Sequence, residues 1–184
     1  RIDRAGAALL GATLMVAFGV LTIDDAYRAI DMNTITLLLG MMIVVANLRL
    51  SGFFRLVAAT VTQRAGHPLV LLTGVVLTAG ILSAFLVNDA ICLVMTPLVL
   101  DLVQRLDRNP VPYLLAVAMA SNAGSVATIT GNPQNMIIGS LSHIPYGRFA
   151  AALAPVAAIG LALTFAIVGL IWRHEFLTPA RLHA

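Results

Sequence analysis

Long uncharged stretches alternate with short charged segments along this chain. The longest uncharged runs are 5–23, 32–48, 65–88, 109–147 and 149–172. A helix that crosses a bilayer needs about 20 mostly apolar residues, within a range of roughly 17–25. The pattern therefore predicts spanning helices over 5–23, 34–48 and 149–172. It leaves two longer apolar stretches, 69–103 and 112–142, that a single straight span does not explain.

Polar residues interrupt both of the longer stretches. The apolar pattern of 69–103 stops at Asn88-Asp89 and then resumes. Irregular backbone at membrane depth is tolerated where it is buried in protein or lines a cavity, so this stretch predicts a re-entrant helical hairpin with Asn88-Asp89 at its tip. The segment 121–135 holds two Gly, one Pro, three Asn and four hydroxyl side chains, which cannot continue a regular apolar helix. A broken helix is therefore predicted over 112–142.

The segment 50–66 has a different pattern. Apolar residues recur there at helical spacing: Leu50, Phe53, Phe54, Val57 and Val61. Arg55 and Gln63 give the same helix a polar side. An apolar stripe opposite a polar one is typical of a helix that lies in the membrane interface, so we predict an interfacial helix over 50–66.

Composition supports a membrane protein. Of the 184 residues, 60% are hydrophobic and 10% are charged, whereas about 25% are charged in an average soluble domain. Because so few charges cannot cover a water-facing surface, a soluble globule is excluded and an all-α polytopic membrane protein is predicted. The lipid bilayer is its first expected partner. Nucleic acid is not expected, because the arginines are scattered singly and form no basic stripe.

The arginines also predict an orientation. If 69–103 enters and leaves on one side, nine of the 11 arginines share one face, Arg1 and Arg181 among them, and only Arg28 and Arg148 share the other. Basic residues are enriched on the cytoplasmic side of membrane proteins. The arginine-rich side is therefore predicted to be cytoplasmic, in a multi-pass protein of a bacterial-type plasma membrane.

The two polar breaks carry the candidate chemistry. Asp89 is the only charged residue between Arg64 and Asp101, and an ionised Asp at membrane depth costs about 2.5 kcal/mol or more unless it is paired, protonated, hydrated or bound to a cation. In a broken helix, the carbonyl end of the first half favours cations and the N-terminus of the second half favours anions. Oxygen ligands of this kind suit Na⁺. An extramembrane turn at 88–89 and a structural kink at 121–135 are the alternatives, and the presence of both breaks in neighbouring segments favours a site.

These observations define two sets of candidate residues. The predicted ion-binding residues are Asn88, Asp89, Ser121, Asn122, Gly124 and Thr128. The predicted substrate-binding residues are Thr130, Gly131, Asn132, Pro133 and Asn135. Within the first set, Asn88, Asp89 and Asn122 are the expected ligands of a Na⁺ ion. No cofactor other than this Na⁺ ion is expected.

Two sequence motifs resemble a known superfamily. AFLVNDAICLVMTPLVL at 84–100 and SNAGSVATITGNPQNMIIG at 121–139 resemble the ion transporter superfamily, which includes citrate and dicarboxylate carriers, divalent anion:sodium symporters, arsenite efflux permeases and one group of Na⁺/H⁺ antiporters. The opening AIDMNTITLLLGMMIVVANLRLSGFF at 29–54 is similar to the arsenite and antiporter branch. Where dicarboxylate:sodium carriers have Ser-Asn-Thr at the hairpin tip, this chain has Val87, Asn88 and Asp89.

The resemblance implies an architecture and a function. Members of the superfamily contain two units of opposite orientation, each with one hairpin and one broken helix, and bind substrate and coupling ion between them. It implies that 1–184 is one such inverted repeat, about the N-terminal half of a longer permease whose second repeat is needed to complete the site, and that the complete protein is a homodimer. The expected function is secondary active transport of a small anion, a carboxylate or inorganic oxyanion, coupled to Na⁺ or H⁺.

Other functions remain to be compared with anion transport. A Na⁺/H⁺ antiporter and an arsenite efflux permease are alternatives within transport, and a non-transport membrane scaffold is an alternative outside it. An intramembrane hydrolase needs two carboxylates or a Ser/His pair at depth. Asp89 is the single carboxylate available, and the histidines all lie at or beyond the ends of spans, so the chain is not expected to be an enzyme.

Overall fold

The chain folds into helices joined by short turns, as described for residues 3–64 and 66–177 in a computed structural model. The helices are α1 (Arg4–Ala17), α2 (Ile23–Arg28), α3 (Met32–Leu50), α4 (Phe53–Arg64), α5 (Pro68–Phe85), α6 (Asn88–Arg105), α7 (Pro110–Ser125), α8 (Pro133–Ser142), α9 (Tyr146–Ile171) and α10 (Arg173–Phe176), with a 3₁₀ turn at Ile129–Gly131 between α7 and α8. Arg1 and Arg181, which count toward the predicted arginine-rich face, lie outside the described residues.

The fold is that of an all-α polytopic membrane protein, as predicted. Within the described residues, three helical segments are long and apolar enough to cross a membrane by length and composition: Ile23–Leu50, Pro68–Phe85 and Tyr146–Ile171. Large apolar side chains are exposed along several helices, with Leu39 of α3, Leu93 of α6 and Leu170 of α9 each more than half exposed. A surface of this kind is stable against lipid or against further protein, and not in water.

The continuous helix predicted over 5–23 is wrong in its last turns. α1 ends at Ala17 after 14 residues, which corresponds to about 21 Å at 1.5 Å per residue. Gly19 then takes a left-handed backbone conformation with φ 69°, which glycine adopts without a steric cost. Thr22 begins α2 by accepting a hydrogen bond from the Asp25 backbone N–H.

The predicted hairpin corresponds to α5 and α6. The two helices meet at Leu86-Val87, so the turn lies two residues before the predicted Asn88-Asp89, which form the start of α6. α4 packs against both arms through its apolar stripe: Phe54 is buried, and a Cβ added to Gly74 of α5 would lie 2.6 Å from a methyl carbon of Val61. The interfacial position of α4 and the re-entrant position of the hairpin stay predictions.

The structure contains the helix break that was predicted within 112–142. α7 stops at Ser125 and α8 starts at Pro133, with the 3₁₀ turn between them. Proline suits the first position of a helix because it has no N–H to leave unbonded. α9 starts at Tyr146, so Arg148 lies in its first turn, although the charge pattern placed it before the helix.

α5 lies at the centre of the packing. Leu71, Leu72 and Ala79 of α5 are completely buried, as are Tyr113 and Ala116 of α7. α10 contacts α5, and the ring of its Phe176 lies 5.6 Å from that of Tyr113 near the start of α7. Near their C-terminal ends α5 and α7 approach the tip of the hairpin, and the predicted site residues are found there.

Candidate functional site

The hairpin tip and the broken helix meet at a pair of asparagines. Asn88 is the first residue of α6, and its Nδ2 donates a hydrogen bond of 2.9 Å to Oδ1 of Asn122 in the last turn of α7. Asn122 in turn donates from Nδ2 to the Ala118 carbonyl at 3.1 Å. The two polar breaks, 34 residues apart in sequence, therefore adjoin each other.

Two oxygen-bearing groups at the tip have no partner among the described residues. Oδ1 of Asn88 is buried and accepts no hydrogen bond, which costs about 1–3 kcal/mol for a buried polar atom. Asp89 is exposed in the first turn of α6, and its carboxylate makes no hydrogen bond or ion pair in the described part of the chain. An amide oxygen and a carboxylate on adjacent residues are hard ligands of the type that binds Na⁺, as they do other hard cations.

Ser121 lies between the two arms of the hairpin. Its Oγ is 2.8 Å from Sγ of Cys92 on α6 and donates to the Ala118 carbonyl at 3.1 Å. Its backbone carbonyl accepts a 2.7 Å hydrogen bond from Oγ of Ser83 on α5. Ser83 and Cys92 were not among the predicted site residues; their only signal in the sequence is that they interrupt apolar stretches on either side of Asn88-Asp89.

Gly124 and Thr128 lie against α5. A Cβ added to Gly124 would be 2.1 Å from the carbonyl oxygen of Gly80, so the two backbones are in direct contact. The hydroxyl of Thr128 donates to the Ala84 carbonyl and lies 3.3 Å from the hydroxyl of Thr130. These two predicted ion-binding residues therefore connect the break to α5, the first arm of the hairpin.

The carbonyl groups freed by the break are bonded to asparagine side chains. Nδ2 of Asn135 donates to the carbonyls of Thr128 at 2.9 Å and of Ser125 and Val126 at 3.3 Å each. Nδ2 of Asn132 also reaches the Ser125 carbonyl, at 3.3 Å, while its Oδ1 caps α8 by accepting the Asn135 backbone N–H at 2.8 Å. The last carbonyls of a helix have no hydrogen-bond partner within it. Here the two side-chain amides supply the missing donors to the carbonyls of the break.

The remaining predicted substrate residues complete the same turn. A Cβ added to Gly131 would be 2.1 Å from the Ser125 carbonyl oxygen, so no larger residue fits without a backbone shift. The Thr130 hydroxyl is 3.1 Å from the hydroxyl of Tyr146 at the start of α9. Thr130, Gly131, Asn132 and Asn135 thus surround Ser125 and Thr128, and Ser125 is joined to the ion-binding set because its Oγ donates to the Asn122 carbonyl at 2.8 Å.

The chemistry offered by this region is neutral except at Asp89. The side chains that hydrogen-bond within 121–135 are amides and hydroxyls, with one thiol from Cys92. Among residues 3–64 and 66–177, no group of three or more His, Cys, Asp or Glu side chains could hold a metal ion. The arrangement offers oxygen ligands for a monovalent cation or a proton at the hairpin tip, and hydroxyl groups for an oxygen-rich solute in the turn.

Comparison with known proteins gives consistent matches. The family model described as Citrate transporter matches residues 1–181. The chain is 36% identical over 162 residues to the silicon efflux transporter LSI3 of Oryza sativa subsp. japonica, covering 88% of this chain and 33% of the relative. It is 35% identical over 181 residues to a 46 kDa membrane protein of Mycobacterium leprae, covering 96% and 42% of the two chains. It is 29% identical over 174 residues to the putative transporter arsB of Dictyostelium discoideum, covering 95% and 31%.

Proposed function

This chain belongs to the citrate transporter family, and from that premise we propose that the complete protein is a secondary active transporter of a small anion, coupled to Na⁺ or H⁺. The relatives named above as transporters support transport as the general function. The chain is an integral membrane unit, and its described part contains three apolar helical segments of spanning length. We further propose that its arginine-rich side is cytoplasmic and that the complete protein is a homodimer.

A second unit of the same kind completes the transporter in this proposal. The chain spans 33% and 42% of the lengths of the first two relatives, which leaves room in such proteins for another hairpin and another broken helix. We expect the native polypeptide to have about twice the mass of this 19.4 kDa chain or more, as intact mass spectrometry of the protein from its source would measure. A native mass close to 19.4 kDa would contradict the two-unit arrangement.

The contact between Asn88 and Asn122 carries the proposal. It joins a hairpin tip to a helix break, and it leaves Oδ1 of Asn88 buried without a hydrogen-bond partner, one residue before the exposed and unpaired carboxylate of Asp89. A cation bound between these oxygens would satisfy both, and a proton on Asp89 would neutralise the charge. The coupling ion is therefore assigned to Asn88, Asp89 and Asn122.

The substrate is assigned to the neighbouring turn. Thr130 contributes a hydroxyl group to this turn, and the N-terminus of α8 favours a negatively charged group. Because no basic side chain hydrogen-bonds within this turn in the described residues, the charge of an anion would be balanced by the bound cation. Binding of one would then depend on the other, as coupled transport requires.

The same neutral lining favours a second candidate. A weak acid that is uncharged at neutral pH needs hydroxyl and amide partners and no basic side chain. The most similar of the relatives described above carries the name silicon efflux transporter, and another is named as a putative arsB transporter. Efflux of an uncharged hydroxylated acid, or of arsenite, is thus the alternative. Na⁺/H⁺ exchange is a further alternative, and it needs no such solute.

The proposal is tested by flux measurements on the complete polypeptide in proteoliposomes. A Na⁺ or H⁺ gradient is applied with a panel of carboxylates, inorganic oxyanions and silicic acid, and uptake is compared for wild type and Asn88→Ala. An oxygen that faces a cation is worth about as much as a hydrogen bond to a charged group, about 1.5–3 kcal/mol. We therefore expect the Na⁺ concentration for half-maximal flux to rise about ten-fold to a hundred-fold in the variant.

Asn33→Ala is the matched control for this experiment. Asn33 is an exposed asparagine at the start of α3, distant in sequence from both breaks, so its removal should leave the ion dependence unchanged. Equal ion dependence in Asn88→Ala and wild type would overturn the assignment of the coupling ion. Ion-driven flux that requires no solute from the panel would favour the antiporter.

A further inference from the structure

A groove lies between α4 and α6, away from the asparagine pair. It has a volume of about 540 Å³ and is lined by one stripe of residues from each helix. Apolar side chains form much of the lining, including Ala58 and Ala59 of α4 and Leu98 and Leu102 of α6. Arg55 and Arg105 bring two positive charges to the same groove. The groove is therefore amphipathic, with the size of a cavity that holds a small organic ligand.

The charges of the groove are not balanced internally. Nε of Arg105 lies 3.0 Å from a carboxylate oxygen of Asp101, which also lines the groove, and both side chains are more than 60% exposed. Arg55 makes no hydrogen bond or ion pair with any described residue. Two arginines against one aspartate leave a net charge of +1 in the lining.

The position of Arg55 adds to this imbalance. Arg55 lies in the first turn of α4, which contains no acidic residue. The N-terminus of a helix carries a partial positive charge that repels a cation and attracts an anion. An anion bound beside Arg55 would thus offset both the guanidinium charge and the helix dipole.

We propose that this groove binds one anionic phospholipid from the surrounding leaflet. Arg55 and Arg105 attract its anionic headgroup, and an acyl chain follows the apolar lining formed by Ala58, Ala59, Leu98 and Leu102. Charge complementarity favours an anionic headgroup over a zwitterionic one, whose ammonium group would approach the arginines. The apolar part of the lining favours a lipid over a soluble anion, which would leave it hydrated. Basic pockets between membrane helices bind anionic headgroups by the same interactions.

Lipid binding to the complete polypeptide tests the proposal without any transport assay. The detergent-purified protein is titrated with phosphatidylglycerol or phosphatidylcholine of identical acyl chains, and bound lipid is counted by native mass spectrometry. We expect phosphatidylglycerol to bind preferentially. A basic residue near a membrane surface contributes about 1 kcal/mol to such binding, so Arg55→Gln and Arg105→Gln should each weaken it about five-fold and the double variant about thirty-fold. Arg28→Gln, an exposed arginine on α2, is the control and should bind as wild type.

A second variant separates the lipid chain from the phosphate. Ala59→Trp fills the groove at an exposed position and leaves both arginines in place, so it should weaken phosphatidylglycerol binding. Inorganic phosphate should not compete with the lipid. The proposal is overturned if the double arginine variant keeps wild-type affinity, if the two lipids bind equally, or if phosphate displaces the lipid. It is also overturned if the wild type retains neither lipid, since another part of the polypeptide would then cover the groove.

Discussion

Replacement of Asp89 by asparagine is expected to abolish ion-coupled flux through the complete protein while its expression and fold stay intact. The fold should not change because the Asp89 side chain is exposed and makes no hydrogen bond or ion pair in the described part of the chain. Coupling should fail because two opposite charges 4 Å apart attract by about 4 kcal/mol at an effective dielectric constant of about 20. Loss of that attraction lowers the affinity for a cation about a thousand-fold.

Proteoliposome flux driven by a Na⁺ gradient and by a pH gradient measures this effect. Asp107→Asn is the matched control: Asp107 is an exposed carboxylate just after the end of the same helix, and its φ of 52° is a conformation that asparagine adopts readily. Unchanged flux in Asp89→Asn under both gradients would remove Asp89 from the coupling mechanism. Loss of the pH-driven flux alone would assign Asp89 to proton transfer and the Na⁺ ion to other ligands.

Among Gly→Ala substitutions within the α-helices, Gly124→Ala is expected to reduce the stability of the protein most. The added methyl group would lie 2.1 Å from the Gly80 carbonyl oxygen and 2.5 Å from the Gly80 Cα, so α5 or α7 must move. Small residues let membrane helices approach this closely, and overpacking of a close contact typically costs about 1–3 kcal/mol. We expect the upper end of that range, because the obstructing atoms belong to the backbone and cannot rotate away.

The loss of stability is followed by heating the protein and then measuring, by size-exclusion chromatography, the fraction that remains monodisperse. Two other Gly→Ala variants on α9 provide a graded comparison. At Gly160 the added Cβ would lie 3.0 Å from the Ala123 side chain, and at Gly169 it would meet nothing within 4 Å. The expected order of stability is Gly169→Ala, then Gly160→Ala, then Gly124→Ala. A Gly124→Ala protein as stable as Gly169→Ala would contradict the close contact between α5 and α7.

The hydrophobic pattern predicts the order of the helices well and some of their ends poorly. Asn88-Asp89 and the glycines, asparagines and proline of 121–135 interrupt long apolar runs, so the hairpin turn and the break could both be located from sequence. The end of α1 could not, because Val20 and Leu21 continue the apolar run beyond the turn at Gly19. A run without charge shows where a helix is possible, whereas a turn at a single glycine depends on local backbone conformation.

The partners of the site residues were even less accessible from sequence. The superfamily resemblance predicted that the hairpin and the broken helix lie together, but no local pattern pairs Ser83 with Ser121 or Gly80 with Gly124. Such pairs depend on the angle and depth at which helices cross. Asn135 shows the same limit: its residue type suggested a substrate contact, whereas its amide bonds to three backbone carbonyls of the break.

The hydrogen bonds of Asn132 and Asn135 have a consequence for the thermodynamics of binding. Fixing the backbone of one residue costs about 1–2 kcal/mol of conformational entropy, and a flexible break would incur that cost each time a ligand ordered it. Here the side-chain amides hold the irregular backbone between Ser125 and Asn132 in one conformation as part of the folded chain. A preorganised site of this kind loses little entropy on binding. The contacts to a ligand would therefore not have to compensate for ordering the break each time the ligand binds.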